Sequence, residues 1–252
     1  MAFMAALSTA GPPVFLVDPG GLADRSVTLS GPEGHHAAAV RRLRVGERAD
    51  VCDGAGTLAS CVVASVGKDT VGLTVQSVAE VPPAQPRITV VQALPKGDRG
   101  ELAVEMMTEV GVDAIVAWQA DRSVARWQGE RGQRALSKWR GTAREASKQS
   151  RRAWIPDVDG PAGLSDVVGL ISGAASAVVL EASAAVPLSR LALPSSGSVV
   201  LIVGPEGGIG PGERTALGAA GALEARLGPT VLRTSTAGSC AAAILMANSG
   251  RW

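Results

Sequence analysis

From Arg87 onward the sequence alternates short aliphatic runs with segments of helical spacing, and no other feature restricts the fold as much. RITVVQAL (87–94), DAIVAWQ (113–119), SAVVLEAS (176–183) and SVVLIVG (198–204) carry too few polar residues to expose a face, as in strands buried on both sides. Between them, GELAVEMMTEVGV (100–112) places Leu102, Met106, Glu109 and Val110 at helical spacing, and GQRALSKWRGTAREASKQS (132–150) reads as a long helix. GPGERTALGAAG (210–221) opens as a helix should, with Pro211 at its start and Glu213 in its first turn. STAGSCAAAILMANSG (235–250) is an Ala-rich helix expected to begin at a Ser or Thr cap. The pattern predicts an α/β domain, a parallel sheet with helices on both faces.

The sequence before this region has a different texture. SVTLS (26–30), RADVCDG (48–54), TLASCVVASVG (57–67) and TVGLTVQSV (70–78) are short Val-rich pieces separated by Gly and Asp turns, as in a small antiparallel barrel or sheet. GHHAAAVRRLRVGE (34–47) is its helical insertion, and Arg41, Arg42 and Arg44 give it a basic rim. EVPPAQPR (80–87) sets three prolines within five residues and cannot be the interior of a helix or a central strand. The expected organisation is a β module over 1–80, a linker over 81–87 and the α/β domain over 88–252.

Composition removes several function classes. A chain of 252 residues with 46% apolar and 19% charged residues is globular and able to bury a sizeable core. No apolar stretch reaches the ~18 residues of a membrane span, and the opening MAFMAALSTAGPPVF lacks the basic start and full apolar core of a signal peptide. A cytoplasmic location is expected. Cys52, Cys61 and Cys240 have no metal-ligand spacing, and the two histidines, His35 and His36, are adjacent. A metal site or a Ser-His-Asp triad has little material here.

The net charge of +1 conceals an asymmetry. Arg122, Arg126, Arg131, Arg134, Lys138, Arg140, Arg144, Lys148, Arg151 and Arg152 face two acids of the same stretch, Glu130 and Glu145. Trp127, Trp139 and Trp154 are interleaved with them. A solvated helix face is the plain reading of such a run; the scarcity of acids favours a polyanion-binding surface.

VLIVGPEGGIGPGE (200–213) is a strand, a glycine loop and a helix start, and ligands of parallel sheets bind beyond such strand ends. Glycines let the backbone approach a ligand, and the free N–H groups of a helix start can hold an anionic or carbonyl group. A tight turn that needs glycine for its geometry alone is the alternative. The spacing is neither GxGxxG nor GxxxxGK[ST], which disfavours dinucleotide and ATP sites. LGPTVLRTSTAGS (227–239) is expected to repeat the theme with a short strand, a Gly-Pro turn and a polar helix cap, and LEASAAVPL (180–188) ends the preceding strand. The three loops could form one pocket.

IVGPEGGIGPGE followed by LGPTVLRTSTA resembles the C-terminal signature of the SPOUT class of RNA methyltransferases, and within it the bacterial 16S ribosomal RNA uridine N3-methyltransferase family. The likeness extends to QALPKGDRGELAVEMMTEVGVDAIV (92–116), DRSVARW (121–127) and REASKQSRRAWIP (144–156). HHAAAVRRLRVGERADVCDGAG is similar to the PUA-like RNA-binding barrel of that family, so the resemblance covers nearly the whole chain. It implies an S-adenosylmethionine-dependent enzyme, a homodimer, with a C-terminal trefoil knot that periodicity alone does not show. The cofactor would lie among Leu180, Glu181 and Ala182, then Gly204, Pro205, Glu206, Gly207, Gly208 and Ile209, and the loop from Leu227 to Ala237. Backbone groups around Leu227, Gly228 and Leu232 would hold its adenine, Thr234, Ser235, Thr236 and Ala237 would line the same loop, and Arg233 and Thr234 would begin the last helix. The family commonly has Glu where this chain has Ser235.

The resemblance implies as substrate a uridine near the decoding site of the 16S RNA, within the 30S particle. Methylating N3 of uridine requires loss of the imide proton, hence a base and a group that stabilises the anion. Arg233 is the candidate for the anion and Glu206 for the base. Lys96, Arg99, Arg122, Arg126, Arg151 and Arg152, with Arg41, Arg42 and Arg44, are candidate RNA contacts. Two rivals remain: a ribose 2'-O-methyltransferase, disfavoured because Asn248 is the only asparagine, and a catalytically silent RNA-binding or ribosome-assembly protein, kept open by Ser235.

Overall fold

The computed structural model describes residues 11–22 and 24–252. Residues 1–10, part of the opening stretch read against a signal peptide, lie outside the described residues. Two compact units are present: Met1–Pro83 with Ser147–Ile155, and Ala84–Ala146 with Pro156–Trp252.

In the first unit, β1 (Val14–Leu16), β2 (Ser26–Leu29), β3 (Arg48–Cys52), β4 (Thr57–Val66) and β5 (Val71–Glu80) form one sheet in the order β1-β3-β4-β5-β2. The β1/β3 pair is parallel and the others antiparallel, so the sheet is mixed. The helical insertion is shorter than its sequence suggests. Helix α1 (Gly31–His35) passes into a π-helical turn (His36–Val40), Arg42 takes φ 54°, and Leu43 beside it is buried. Turning Leu43 into the core costs the helix its last turns, and Arg41, Arg42 and Arg44 stay exposed.

Ser147–Ile155 belongs to this unit although more than sixty residues separate it from Pro83 in sequence. Ala153, Trp154 and Ile155 pack with Val14, Leu16, Cys52 and Leu58, and the Trp154 indole donates to the Val81 carbonyl at 2.8 Å. Lys148 is 6% exposed; its ammonium lies 2.8 Å from the Glu33 carboxylate and 5.5 Å from the centre of the Phe15 ring. Glu33 also accepts the Leu16 N–H at 3.4 Å, so one ion pair ties this segment to both α1 and β1.

The second unit is built on β6 (Arg87–Ala93), β7 (Ala114–Trp118), β8 (Asp157–Ala162), β9 (Ser176–Leu180), β10 (Ser198–Val203) and β11 (Leu223–Ala225). The order is β11-β9-β10-β6-β7-β8 and every pair is parallel. Alternate residues serve opposite faces. Ile88, Val90, Val199, Leu201 and Val203 pack against α2 (Arg99–Val110), α3 (Gly129–Gln149) and α6 (Thr234–Asn248). Val91, Ala93, Val200 and Ile202 pack against α4 (Leu164–Ser172) and α5 (Pro211–Ala219). The strand expected within 227–239 is absent; β11 lies just before it, and residues 227–233 have no regular structure.

Breaking the Lys148–Glu33 pair from one side leaves a carboxylate only 15% exposed without its cation. Lys148→Met is expected to lower the unfolding free energy by about 3 kcal/mol, and Lys148→Met with Glu33→Gln to recover most of that loss. Urea denaturation of the three proteins measures it; a double variant no more stable than the single one would refute the assignment.

Candidate active site

Neighbouring strands β6 and β10 send their connections in opposite directions, β6 through α2 to β7 and β10 through α5 to β11. A parallel sheet opens a crevice beyond the carboxyl ends of its strands at such a reversal. Beside it, on the β9 and β11 side of β10, a cavity of about 490 Å³ is lined by the ends of β9 and β10 and by the segments that follow β9, β10 and β11. That volume is within the ~300–1,000 Å³ of small-molecule sites.

Three segments form the wall. Leu180 and Glu181, with Ala182, come from the end of β9; Gly204, Pro205, Glu206, Gly208 and Ile209 come from the glycine loop; Leu227, Gly228, Leu232, Arg233, Thr234 and Ala237 come from the approach to α6. Gly207, Ser235 and Thr236 do not line it. Val203, Pro229, Thr230 and Val231 do, and the sequence did not single them out; Pro229, Thr230 and Val231 lie inside the last of these segments, and Val203 is the strand residue just before the glycine loop. None of the N–H groups from Leu227 to Arg233 donates a hydrogen bond among the described residues, Pro229 having none to give. A backbone stretch with its donors unspent, facing a cavity, has hydrogen bonds to offer a ligand.

The loops are tied by specific contacts. A Cβ on Gly204 would stand 2.7 Å from Cγ1 of Ile209, so this glycine makes room for the loop's own buried anchor. Gly208 takes φ 72°, which turns the chain back toward α5. The buried Glu213 carboxylate accepts the Gly210 N–H and the Asp121 N–H, each at 2.8 Å, fixing the start of α5 and the segment after β7 together. Glu206 does not act at that helix start; its carboxylate accepts the Lys96 N–H at 3.2 Å. Helix α6 has Arg233, not Ser or Thr, at its N-cap, and no side chain caps it. The Thr234 hydroxyl instead donates to the Gly204 carbonyl at 2.7 Å and accepts from the Gln92 amide at 2.9 Å.

Two carboxylates reach the wall and their surroundings differ. Glu181 accepts both the N–H and the hydroxyl of Ser183, and Arg214 lies 3.4 Å away, paired as well with Glu224 at 2.7 Å. Hydrogen bonds from Ser183 and the Arg214 charge hold Glu181 below the usual carboxylate range, while Arg214 is raised, chiefly by Glu224. Glu206 and Arg233 are exposed at the rim. Ser235 is buried.

The basic stretch is not one uniform face. Lys148 is buried on Glu33, Lys138 lies 3.8 Å from Glu101, and Arg140 donates to the Val158 carbonyl beside Asp159. Trp139 is buried and meets Trp127 edge-on with ring centres 4.9 Å apart, and Trp154 packs over Gly56. The tryptophans thus serve cores, not an exposed stacking surface. Arg122 is exposed and donates to the Gly207 carbonyl at 3.1 Å; Arg126 donates to the Asp121 carbonyl at 2.8 Å. Lys96 is exposed and Arg99 opens α2. Arg151 donates to the Gly11 carbonyl at 2.7 Å, and Arg152, partly buried beside it, gives its N–H to the Ser147 carbonyl at 2.9 Å. Among the described residues no cluster of three His, Cys, Asp or Glu forms a metal site, and no helix is long and apolar enough to cross a membrane.

A family profile described as an RNA methyltransferase domain matches residues 82–246, and one described as an RNA methyltransferase PUA domain matches residues 29–76. The chain is 47% identical over 228 residues to the ribosomal RNA small subunit methyltransferase E of Mycobacterium tuberculosis, covering 89% of this chain and 87% of that one. The chain belongs to that family. A protein of the same name from Bacillus subtilis is 30% identical over 218 residues, 83% of this chain and 85% of that one. A solved structure from Legionella pneumophila, described as a methyltransferase with the cofactor S-adenosylmethionine bound, superposes with a TM-score of 0.83 at 27% identity, over 94% of this chain and 97% of that one. Membership makes the chain an RNA methyltransferase with an N-terminal PUA domain, the α/β architecture described above.

A carboxylate held low contributes stability above the pKa of the unfolded chain and loses it as the pH falls through its folded value. The stability difference between the protein and Glu181→Gln is therefore expected to be constant above about pH 5 and to shrink toward pH 3. Thermal melts across that range measure it; a pH-independent difference would show that Glu181 is not held ionised.

Proposed function

We propose that the chain transfers a methyl group from S-adenosylmethionine to N3 of a uridine of the 16S ribosomal RNA in the small subunit. The observation that carries the cofactor half of this reading is the cavity at the strand ends, with the unspent N–H groups of Leu227 to Arg233 on one wall. The residues fit the group. Leu180, Ile209 and Leu227 offer apolar surface for a flat base, free backbone donors match the acceptors on its edge, and a Cβ at Gly228 would meet nothing within 4 Å. The names of the Mycobacterium and Bacillus relatives support a small-subunit ribosomal RNA substrate. The notched C-terminal chain path of a trefoil knot, a homodimeric assembly and a cytoplasmic location belong to the same proposal.

When bound, S-adenosylmethionine supplies a methyl group activated on a sulfonium. The protein's own task is the uracil. Arg233 stands at the rim, where its guanidinium can stabilise the charge that develops on the uracil oxygens as the N3 proton leaves. Glu206, held by the Lys96 N–H, takes that proton. Glu181 is the poorer base, since Ser183 and Arg214 already stabilise its charge. Ser235, buried off the cavity wall, takes no part in the transfer, and its replacing the family's Glu is compatible with activity. Arg122 and Arg126, on the segment that touches the glycine loop, make contacts with the RNA backbone, as do Lys96 and Arg99; Arg41, Arg42, Arg44, Arg151 and Arg152 supply RNA contacts from the PUA-containing unit.

Labelled methyl transfer to unmodified 30S particles, followed by nucleoside mass spectrometry, is expected to yield 3-methyluridine. A ribose-methylated nucleoside, or no product despite cofactor and 30S binding, would reject the proposal in favour of one or other rival. Arg233→Ala and Glu206→Gln should each reduce kcat by about 10²-fold or more while leaving cofactor affinity within a few-fold.

Charge removal tests the RNA contacts separately. Arg122→Ala with Arg126→Ala is expected to lower affinity for the RNA and to reduce the slope of log K against log salt by about 0.7–0.9 per lost phosphate contact. A slope equal to that of the unmodified protein would remove both from the interface.

A further inference from the structure

Gln92 is the last-but-one residue of β6, fully buried, and is not part of the cavity wall. Its amide nitrogen spends both hydrogens, on the Ala93 carbonyl at 3.0 Å and on the Thr234 hydroxyl at 2.9 Å. The Thr234 hydroxyl passes its own hydrogen to the Gly204 carbonyl at 2.7 Å. That direction is forced: a hydroxyl that donates to a carbonyl must accept from its other neighbour, so the nitrogen of Gln92 faces Thr234. The amide oxygen is left beside Gly238 and Met107 with no hydrogen-bond partner among the described residues. An unpaired buried carbonyl is a cost that an apolar side chain of the same length would not carry.

The sheet ladder already pairs the end of β6 with the end of β10, Gln92 against Val203; the chain of bonds adds to them the first residue of α6, which no ladder reaches. Gly204 and Thr234 line the cavity, and Arg233 immediately precedes Thr234 with no side-chain cap to fix it. We infer that Gln92 is a positioning residue, whose buried amide sets the distance between the glycine loop and the 227–234 segment and thereby keeps the cavity in its cofactor-receiving shape. The inference rests on the reading of the cavity as the S-adenosylmethionine site. A Gln that is suboptimal for packing but correct for the loops is a trade of stability for site geometry.

The test is a double-variant cycle on cofactor affinity. Binding of S-adenosylmethionine to the full-length protein is first measured by calorimetry; absence of binding to the unaltered protein overturns the cavity reading, and this inference with it. Gln92→Met and Thr234→Val are then compared with the double variant. The expected result is a roughly tenfold weaker Kd for either single variant, no further loss in the double, a raised KM for cofactor with an unchanged KM for RNA, and a melting temperature within a few degrees of the parent. Additive losses would show that the two residues act independently and overturn the inference. Unchanged affinity in both single variants, or a fall in melting temperature together with a raised KM for both substrates, would equally overturn it, the latter by showing a structural tie alone.

Discussion

Both faces of the six-stranded sheet are closed by helices, and this burial decides where a ligand can bind. Ile88, Val90, Leu201 and Val203 are spent on one helical layer and Val91, Val200 and Ile202 on the other, so the faces have no room for a guest. What remains open is the carboxyl end of the strands, where the chain must leave the ladder and its N–H groups lose their regular partners. The reversal between β6 and β10 separates the segments that follow them, and the cavity occupies the space beside that parting.

Loops in that position would be loose if nothing crossed between them. Here each is held by a polar contact to a neighbouring loop or strand end. Glu213 joins the start of α5 to Asp121, Arg122 reaches the Gly207 carbonyl, Glu206 takes the Lys96 N–H, and Thr234 bridges Gly204 and Gln92. Such contacts place backbone donors before a ligand arrives, which lowers the ordering cost of binding. They also couple the segment that bears Arg122 and Arg126 to the glycine loop, so exposed cations and the cavity wall share one support.

The fold was legible where aliphatic runs were continuous. β6, β7, β9 and β10 follow directly from their Val and Ile content, as do β3, β4 and β5 from theirs. β8 was not, because Asp157, Asp159, Gly160 and Pro161 give an edge strand a polar, turn-like sequence. β11 is three residues long and β1 likewise, too short for any period to appear. α6 departs from the Ser or Thr cap its sequence suggests, because Arg233 holds the N-cap position and the hydroxyl of the next residue, Thr234, is used laterally, across 142 residues of chain, by Gln92. Glycine content pointed to the loops of the site; the tie that Gln92 makes was invisible, since a Gln inside a strand gives no sign of what it faces.

The basic stretch shows the limit of counting charge along a chain. Ten cations against two acids suggested a continuous polyanion surface. Coulomb energy depends on distance in space, and Glu33, Glu101 and Asp159 come from elsewhere in the sequence to meet Lys148, Lys138 and Arg140. Of these, Lys148 carries a structural role, because a charge 6% exposed must be paired. Arg122 differs in kind. Its partner is a carbonyl, an acceptor with no net charge, at an exposed position. A phosphate offers a guanidinium a stronger, bidentate partner than a carbonyl does, so Arg122 would gain by exchanging Gly207 for one, whereas Lys148 cannot leave Glu33 without stranding a carboxylate only 15% exposed. Charges of one sign in one stretch of sequence thus divide by their present partners into those that hold the protein together and those available to a polyanion.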